Sequence, residues 1–189
     1  VISLDAQPPS GFLPWSQLVD LAASVSPEQL RERSDSLHFD QPVNIQYTSG
    51  TTGFPKGATL SHYNILNNGY MVGESIGLTP RDRLVIPVPL YHCFGMVMGN
   101  LGCITHGSTM IYPNDAFDPL LTLGTVAEEN ATALYGVPTM FIAMLDQPQR
   151  AEFDLSSLRT GIMAGATCPI EVMRRVISEM HMSEVQIAY

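Results

Sequence analysis

Positive charge is what this sequence has least of: nine lysines and arginines stand against eighteen aspartates and glutamates in 189 residues, a formal charge of −9. Nucleic acid and anionic membrane surfaces are therefore poor main partners. Cysteine is scarce too. Cys93, Cys103 and Cys168 are odd in number, widely spaced and without paired ligand spacing, so they read as free thiols in a reducing compartment, here expected to be the cytoplasm. The longest apolar run, Cys93 to Thr105, falls short of the roughly 20 residues a membrane helix needs. Within it Gly95 and Gly99 are expected to permit close packing inside a fold. No signal peptide, internal repeat or low-complexity tract is visible. The first residue is Val1 rather than Met, so the native N-terminus and any targeting segment are expected to be missing. With 45% hydrophobic and 14% charged residues, what remains suits one globular domain, or a piece of one, with a sizeable core.

One stretch is rich where the rest is ordinary. Tyr47-Thr48-Ser49-Gly50-Thr51-Thr52-Gly53-Phe54-Pro55-Lys56-Gly57 follows an apolar, strand-like segment and combines glycines, small hydroxyl side chains and a lysine. Glycines let the backbone take positive φ and turn N–H groups toward an anion, while hydroxyls and an ammonium add donors where several phosphate oxygens must be held. This predicts a phosphate-gripping loop. It is not a Walker loop, because Lys56 lies between Pro55 and Gly57 instead of following a glycine and preceding a Ser or Thr. Nor do Gly50, Gly53 and Gly57 have the spacing of a dinucleotide fingerprint.

Along the chain, residues 1–40 mix Pro, Ser and charge around apolar stretches at Phe12–Ala23 and near Leu30, which predicts a helix and a polar connection. From residue 41 onward, strand-like and helix-like runs alternate. Strands are expected at Val43–Tyr47, Leu84–Val88, Thr109–Tyr112, Thr132–Tyr135, Leu158–Met163 and Val185–Tyr189. Helices are expected from Ser61, as cap, to about Ile76, and at Phe94–Thr105, Pro119–Glu129, Thr139–Leu145 and Pro169–Met180. Strict alternation implies right-handed crossovers and an α/β fold with a mostly parallel sheet covered by helices, and ligands then sit beyond the carboxyl ends of the strands.

Three further patterns fall at predicted strand ends. Pro89-Leu90-Tyr91-His92 puts an aromatic ring and an imidazole there. A neutral imidazole donates one hydrogen bond, and His92 could meet a carboxylate, although such a His also serves as a satisfied structural residue. Tyr135-Gly136-Val137-Pro138-Thr139-Met140 is a strand end, a turn and a helix start, readable alone as an ordinary connection. Met163-Ala164-Gly165-Ala166 has side chains too small to obstruct a flat ligand, and small residues equally suit tight strand-to-helix packing.

The Thr48–Gly57 run resembles the signature Thr-Ser-Gly-Thr-Thr-Gly-x-Pro-Lys-Gly of the adenylate-forming superfamily, which contains acyl-CoA synthetases, luciferases and peptide-synthetase adenylation domains. Residues 89–92 look like its second motif, Pro-Leu-Phe/Tyr-His, which points to the acyl-CoA ligases, most like the medium-chain fatty acyl branch. The resemblance implies that Thr48, Ser49, Gly50, Thr51, Thr52, Gly53, Phe54, Pro55, Lys56 and Gly57 hold phosphate, and that Ala164, Gly165, Ala166 and Tyr189 contact adenine. It implies an acyl pocket of Tyr91, His92, Val137, Pro138, Thr139, Met163 and Gly165, with His92 also at the α-phosphate. ATP, magnesium, coenzyme A and a carboxylic acid are the implied ligands, with no metal ligand inside this chain.

The same resemblance makes the chain an internal piece of a large N-terminal domain, with residues 1–40 a partial upstream segment and 41–189 an incomplete nucleotide- and acyl-binding subdomain. The family continues from the Tyr into Gly-x-Thr-Glu, and carries its magnesium-holding Glu, ribose-binding Asp and catalytic Lys further on. The chain alone is accordingly expected not to turn over. Two other readings stand beside the synthetase: another adenylate-forming enzyme, luciferase-like or carrier-loading, and a truncated copy that binds nucleotide without turnover.

Overall fold

The computed structural model describes residues 2–5, 7–48 and 53–188. It divides into two compact units, Val1–Gln41 and Pro42–Tyr189. In the first, β1 (Ile2–Ser3) pairs in parallel with β2 (Leu13–Pro14), followed by α1 (Ser16–Ala22) and α2 (Pro27–Asp35). None of its described residues is buried. The helix α2 was read as polar connection because it has almost no apolar stripe. Its start is nonetheless written in the sequence: Ser26 Oγ accepts from Gln29 N–H, Gln29 Oε1 accepts from Ser26 N–H at 2.8 Å, and Pro27 takes the first helical position.

The second unit opens with β3 (Pro42–Thr48), β4 (Lys56–Ser61) and α3 (His62–Ser75). Strict alternation fails here, because β3 and β4 are consecutive strands paired antiparallel as a two-stranded sheet of their own, with Tyr47 opposite Gly57 and Thr48 opposite Lys56. The described part of the phosphate-loop run thus belongs to a hairpin: Tyr47 and Thr48 end β3, and Lys56 and Gly57 begin β4. A Gly- and Pro-rich approach hides a strand from pattern reading, since those residues mark turns more often than strands. Ser61 caps α3 as expected, in a reciprocal pair with Asn64.

The rest is the expected α/β fold. Strands β5 (Arg83–Val85), β6 (Thr109–Ile111), β7 (Ala133–Gly136), β8 (Thr160–Ala164) and β9 (Glu184–Ala188) form one parallel sheet in the order β6-β5-β7-β8-β9. Alternation along the strands sorts the core into two layers. Val85, Leu134 and Met163 pack with Leu123, Phe141 and Val176 from α5 (Pro119–Glu128), α6 (Pro138–Leu145) and α7 (Ile170–Glu179). On the other face Leu84, Ile86, Tyr135, Ile162 and Ala164 pack with Ile76, Phe94 and Cys103. Strands covered on both faces read as continuous apolar runs, which is why they were legible.

The helix expected over Phe94–Thr105 is two things. Residues Phe94–Leu101 form a π-helix, and α4 (Gly102–His106) continues it in ordinary α geometry. Gly95 permits the start of the π-helix, for a Cβ there would lie 2.6 Å from the Pro89 carbonyl oxygen.

Candidate active site

In the order β6-β5-β7 the chain first steps one way from β5 and then returns to its other side, so the sheet has a topological switch between β5 and β7. The crevice beyond the carboxyl ends of such strands is where open α/β sheets take ligands. A cleft of about 450 Å³ opens at the carboxyl ends of β5 and β6, lined by residues 86–91 after β5, Tyr112 and 114–117 after β6, and Met140 after β7. A second cavity of about 380 Å³ lies between Leu60, Asn64 and Ile65 on one side and Cys93 and Val97 on the other.

The segment after β5 carries Tyr91 and His92, both exposed. His92 Nδ1 accepts the backbone N–H of Phe94 at 3.1 Å, so in the neutral ring the proton sits on Nε2. The Tyr91 carbonyl accepts from Gln46 Nε2 at 3.0 Å. Gln46 lies on β3 two residues before Thr48, so this bond ties the hairpin that carries the phosphate-loop run to the strand end that carries His92. Sequence reading missed Gln46. Its only local signal is a polar side chain within a strand, and its partner is 45 residues away.

Along the hairpin, Gly53, Phe54, Pro55, Lys56 and Gly57 are all exposed, and Thr48 pairs across with Lys56. Lys56 is the only lysine in the chain. Ser49, Gly50, Thr51 and Thr52 lie outside the described residues, as does Tyr189. Where β7 ends, Val137 is half-buried as the N-cap of α6, Pro138 is buried in the first helical position and Thr139 is exposed. Next to it β8 ends at Ala164, followed by Gly165 and Ala166. Gly165 has φ +85, and a Cβ on it would meet Val137 Cγ1 at 3.2 Å, so these two strand ends touch. Ala164 and Val137 share the face that holds Phe94, whereas Met163 is fully buried in the opposite layer with Leu134 and Val176. The structure therefore brings Val137, Ala164 and Gly165 together and sets the Met163 side chain apart from them.

The thiols differ sharply. Burial, reinforced by the Asp82 charge, pushes Cys103 up to about 12, which makes it inert, while Cys93 is exposed with Sγ 3.7 Å from His92 Nδ1. Among the described residues no group of three His, Cys, Asp or Glu side chains is assembled to hold a metal ion, and no helix is long and apolar enough to cross a membrane.

A family model described as AMP-binding enzyme matches residues 3–189. The chain belongs to that family. Among its relatives, the Bacillus subtilis protein YngI is 52% identical over 180 residues, 95% of this chain and 33% of its own length. The mitochondrial medium-chain acyl-CoA ligase ACSF2 of Danio rerio is 48% identical over 191 residues, all of this chain and 31% of the ligase. The chain thus spans about a third of the curated relatives it matches. Among solved structures, a Mycobacterium tuberculosis fatty acyl CoA synthetase superposes with a TM-score of 0.74 at 22% identity over 97% of this chain and 35% of that one, a likeness of fold.

Proposed function

We propose that this AMP-binding chain is the nucleotide- and acid-binding part of an acyl-CoA synthetase acting on a medium-chain fatty acid. The observation that carries the reading is the β3–β4 hairpin: it bears the chain's lone lysine and is tied through Gln46 to the strand end that carries His92, whose Nε2 holds the proton in the neutral ring. One oxygen of the acid attacks the α-phosphorus of ATP, the bond to the β-phosphate breaks, and pyrophosphate leaves; the thiol of coenzyme A then attacks the acyl carbon and AMP leaves.

Catalysis of this kind depends on positioning and on charge neutralisation. Lys56, Ser49, Thr51, Thr52 and the glycine N–H groups would hold the departing pyrophosphate in an otherwise acidic protein. His92 Nε2–H would donate to the acid's carboxylate, and Val137, Ala164 and Gly165 would flank the acyl group. Magnesium bound with ATP would add positive charge at the same phosphates beside Lys56. We propose the cytoplasm as the compartment, on the strength of free Cys93, Cys103 and Cys168, although the Danio rerio relative is named mitochondrial; fractionation of cells expressing the full-length protein decides it.

The test is to incubate the full-length protein with ATP, magnesium, coenzyme A and straight-chain acids of graded length. AMP, pyrophosphate and an acyl-CoA in equal amounts, best with medium-length acids, are expected. Adenylate formation without transfer to coenzyme A would point instead to a carrier-loading enzyme, and no acid-dependent pyrophosphate release would overturn the reading.

A further inference from the structure

The π-helix after His92 has an oddity at its far end. Gly102 N–H donates to Val97 O and Gly99 O, passing over the Met98 carbonyl that lies between them. A hydroxyl from another element takes that carbonyl. Tyr135, fully buried on β7, donates from its Oη to Met98 O at 3.2 Å, and its ring stacks on Phe94 with centroids 5.2 Å apart. Burial above all, with Cys103 nearby, pushes this phenol up, so it remains a donor at any working pH. A carbonyl partly withdrawn from water gains from such a donor, and π-turns recur at functional sites.

Phe94 is also the residue whose backbone N–H reaches His92 Nδ1. A physical chain therefore runs from the centre of the sheet to the imidazole. Tyr135 grips the π-helix at Met98 by its hydroxyl and at Phe94 by its ring, and the Phe94 amide fixes which nitrogen of His92 carries the proton. We propose that Tyr135 is a positioning residue of the adenylation site, holding the Phe94–Leu101 segment in its π form so that His92 is kept as the Nε2–H tautomer. This rests on the reading of His92 given under Proposed function.

The test uses the full-length protein and three variants: Tyr135→Phe, His92→Ala and the two combined. Tyr135→Phe removes one polar atom and keeps the stacking ring. It is expected to lower acid-dependent ATP–pyrophosphate exchange roughly tenfold through kcat, with KM for ATP unchanged. In the His92→Ala background it should add nothing, because both changes act through one imidazole. Ring-nitrogen NMR of histidine-labelled protein, with the His92 signals assigned by their absence in His92→Ala, should move from one tautomer toward a mixture in Tyr135→Phe.

A Tyr135→Phe loss of equal size with and without His92, or an unchanged His92 tautomer, would overturn the proposal. Should His92→Ala itself leave exchange intact, the role given to His92 in the reaction fails, while the nitrogen spectrum still decides the coupling to Tyr135. If Tyr135→Phe does not fold, Phe94→Leu carries the same spectral test, since it removes the ring contact and keeps the backbone donor; a tautomer shift supports the proposal and an unchanged one overturns it.

Discussion

The two ends of the five-stranded sheet are built from opposite materials. At the amino ends, Asp82 is almost fully buried and accepts from Arg159 Nε at 3.2 Å and Nη2 at 2.8 Å, from Thr132 Oγ1 at 2.7 Å, and from the hydroxyl and N–H of Thr79, both at 2.8 Å. Arg159 reaches on to Glu184 and to the Gly77 carbonyl, each at 2.6 Å, so one guanidinium joins the starts of β5, β8 and β9. At the carboxyl ends stand Val137, Ala164, Gly165 and Ala166, and after β5 come Tyr91 and His92, both exposed. Strong polar groups that find all their partners inside the protein hold strands together and have little left for a ligand. Small side chains and an exposed imidazole contribute little to stability and leave both room and a donor. Stability and chemistry in this chain should therefore be separable by mutation.

The largest effect should come from the amino end. Arg159→Ala strips the guanidinium from a buried carboxylate, which keeps only its hydroxyl and backbone donors, and should cost about 3 kcal/mol of stability. In the full-length protein, denaturant melts should show this loss, while adenylate formation per folded molecule stays near wild type. A fall in specific activity without a fall in stability would break the separation. Gly165→Ala, at the carboxyl end, should do the reverse. Its φ of +85 makes any Cβ strained by roughly 1 to 2 kcal/mol, and the added methyl meets Val137. The melt should move less than in Arg159→Ala and the preferred acid should become shorter; an unchanged chain-length profile would take Gly165 out of the acyl pocket.

The smallest effect is a pH dependence. Burial works against the Asp82 charge, but hydrogen bonds from Arg159, Thr132 and Thr79 outweigh it and hold the carboxyl below its ordinary range. A depressed folded value adds stability above the unfolded value of about 4 and loses it as pH falls through the folded one. Wild-type stability should thus decline on acidification below about pH 4, and the decline should be shallower in Asp82→Asn. Equal slopes would mean that other carboxylates carry the acid sensitivity.

What could be read from the sequence follows from range. Runs such as Leu84–Val88 and Leu158–Met163 carry their burial in their own composition, and α7 carries its apolar face in Val172, Val176 and Met180. The parallel sheet was legible for that reason. Strand β4 was not, because the residues leading into it are those of a turn. The π form of Phe94–Leu101 was not, because its determinants include Tyr135, far along the chain. Asp82 and Arg159 are 77 residues apart, a range that no local pattern reaches. At the candidate site, the motifs fall at the carboxyl ends of strands, while the Gln46 tether and the burial of the Met163 side chain needed coordinates.

On the function proposed above, the β3–β4 hairpin handles the nucleotide's phosphates. That role is tested most directly by Lys56→Ala in the full-length protein, with the half-reactions measured apart: acid-dependent ATP–pyrophosphate exchange, and thioester formation from preformed acyl-adenylate. Loss of one charge-stabilising contact should slow the first on the order of a hundredfold and leave the second within about twofold. Equal losses in both half-reactions, or loss confined to the second, would contradict the assignment.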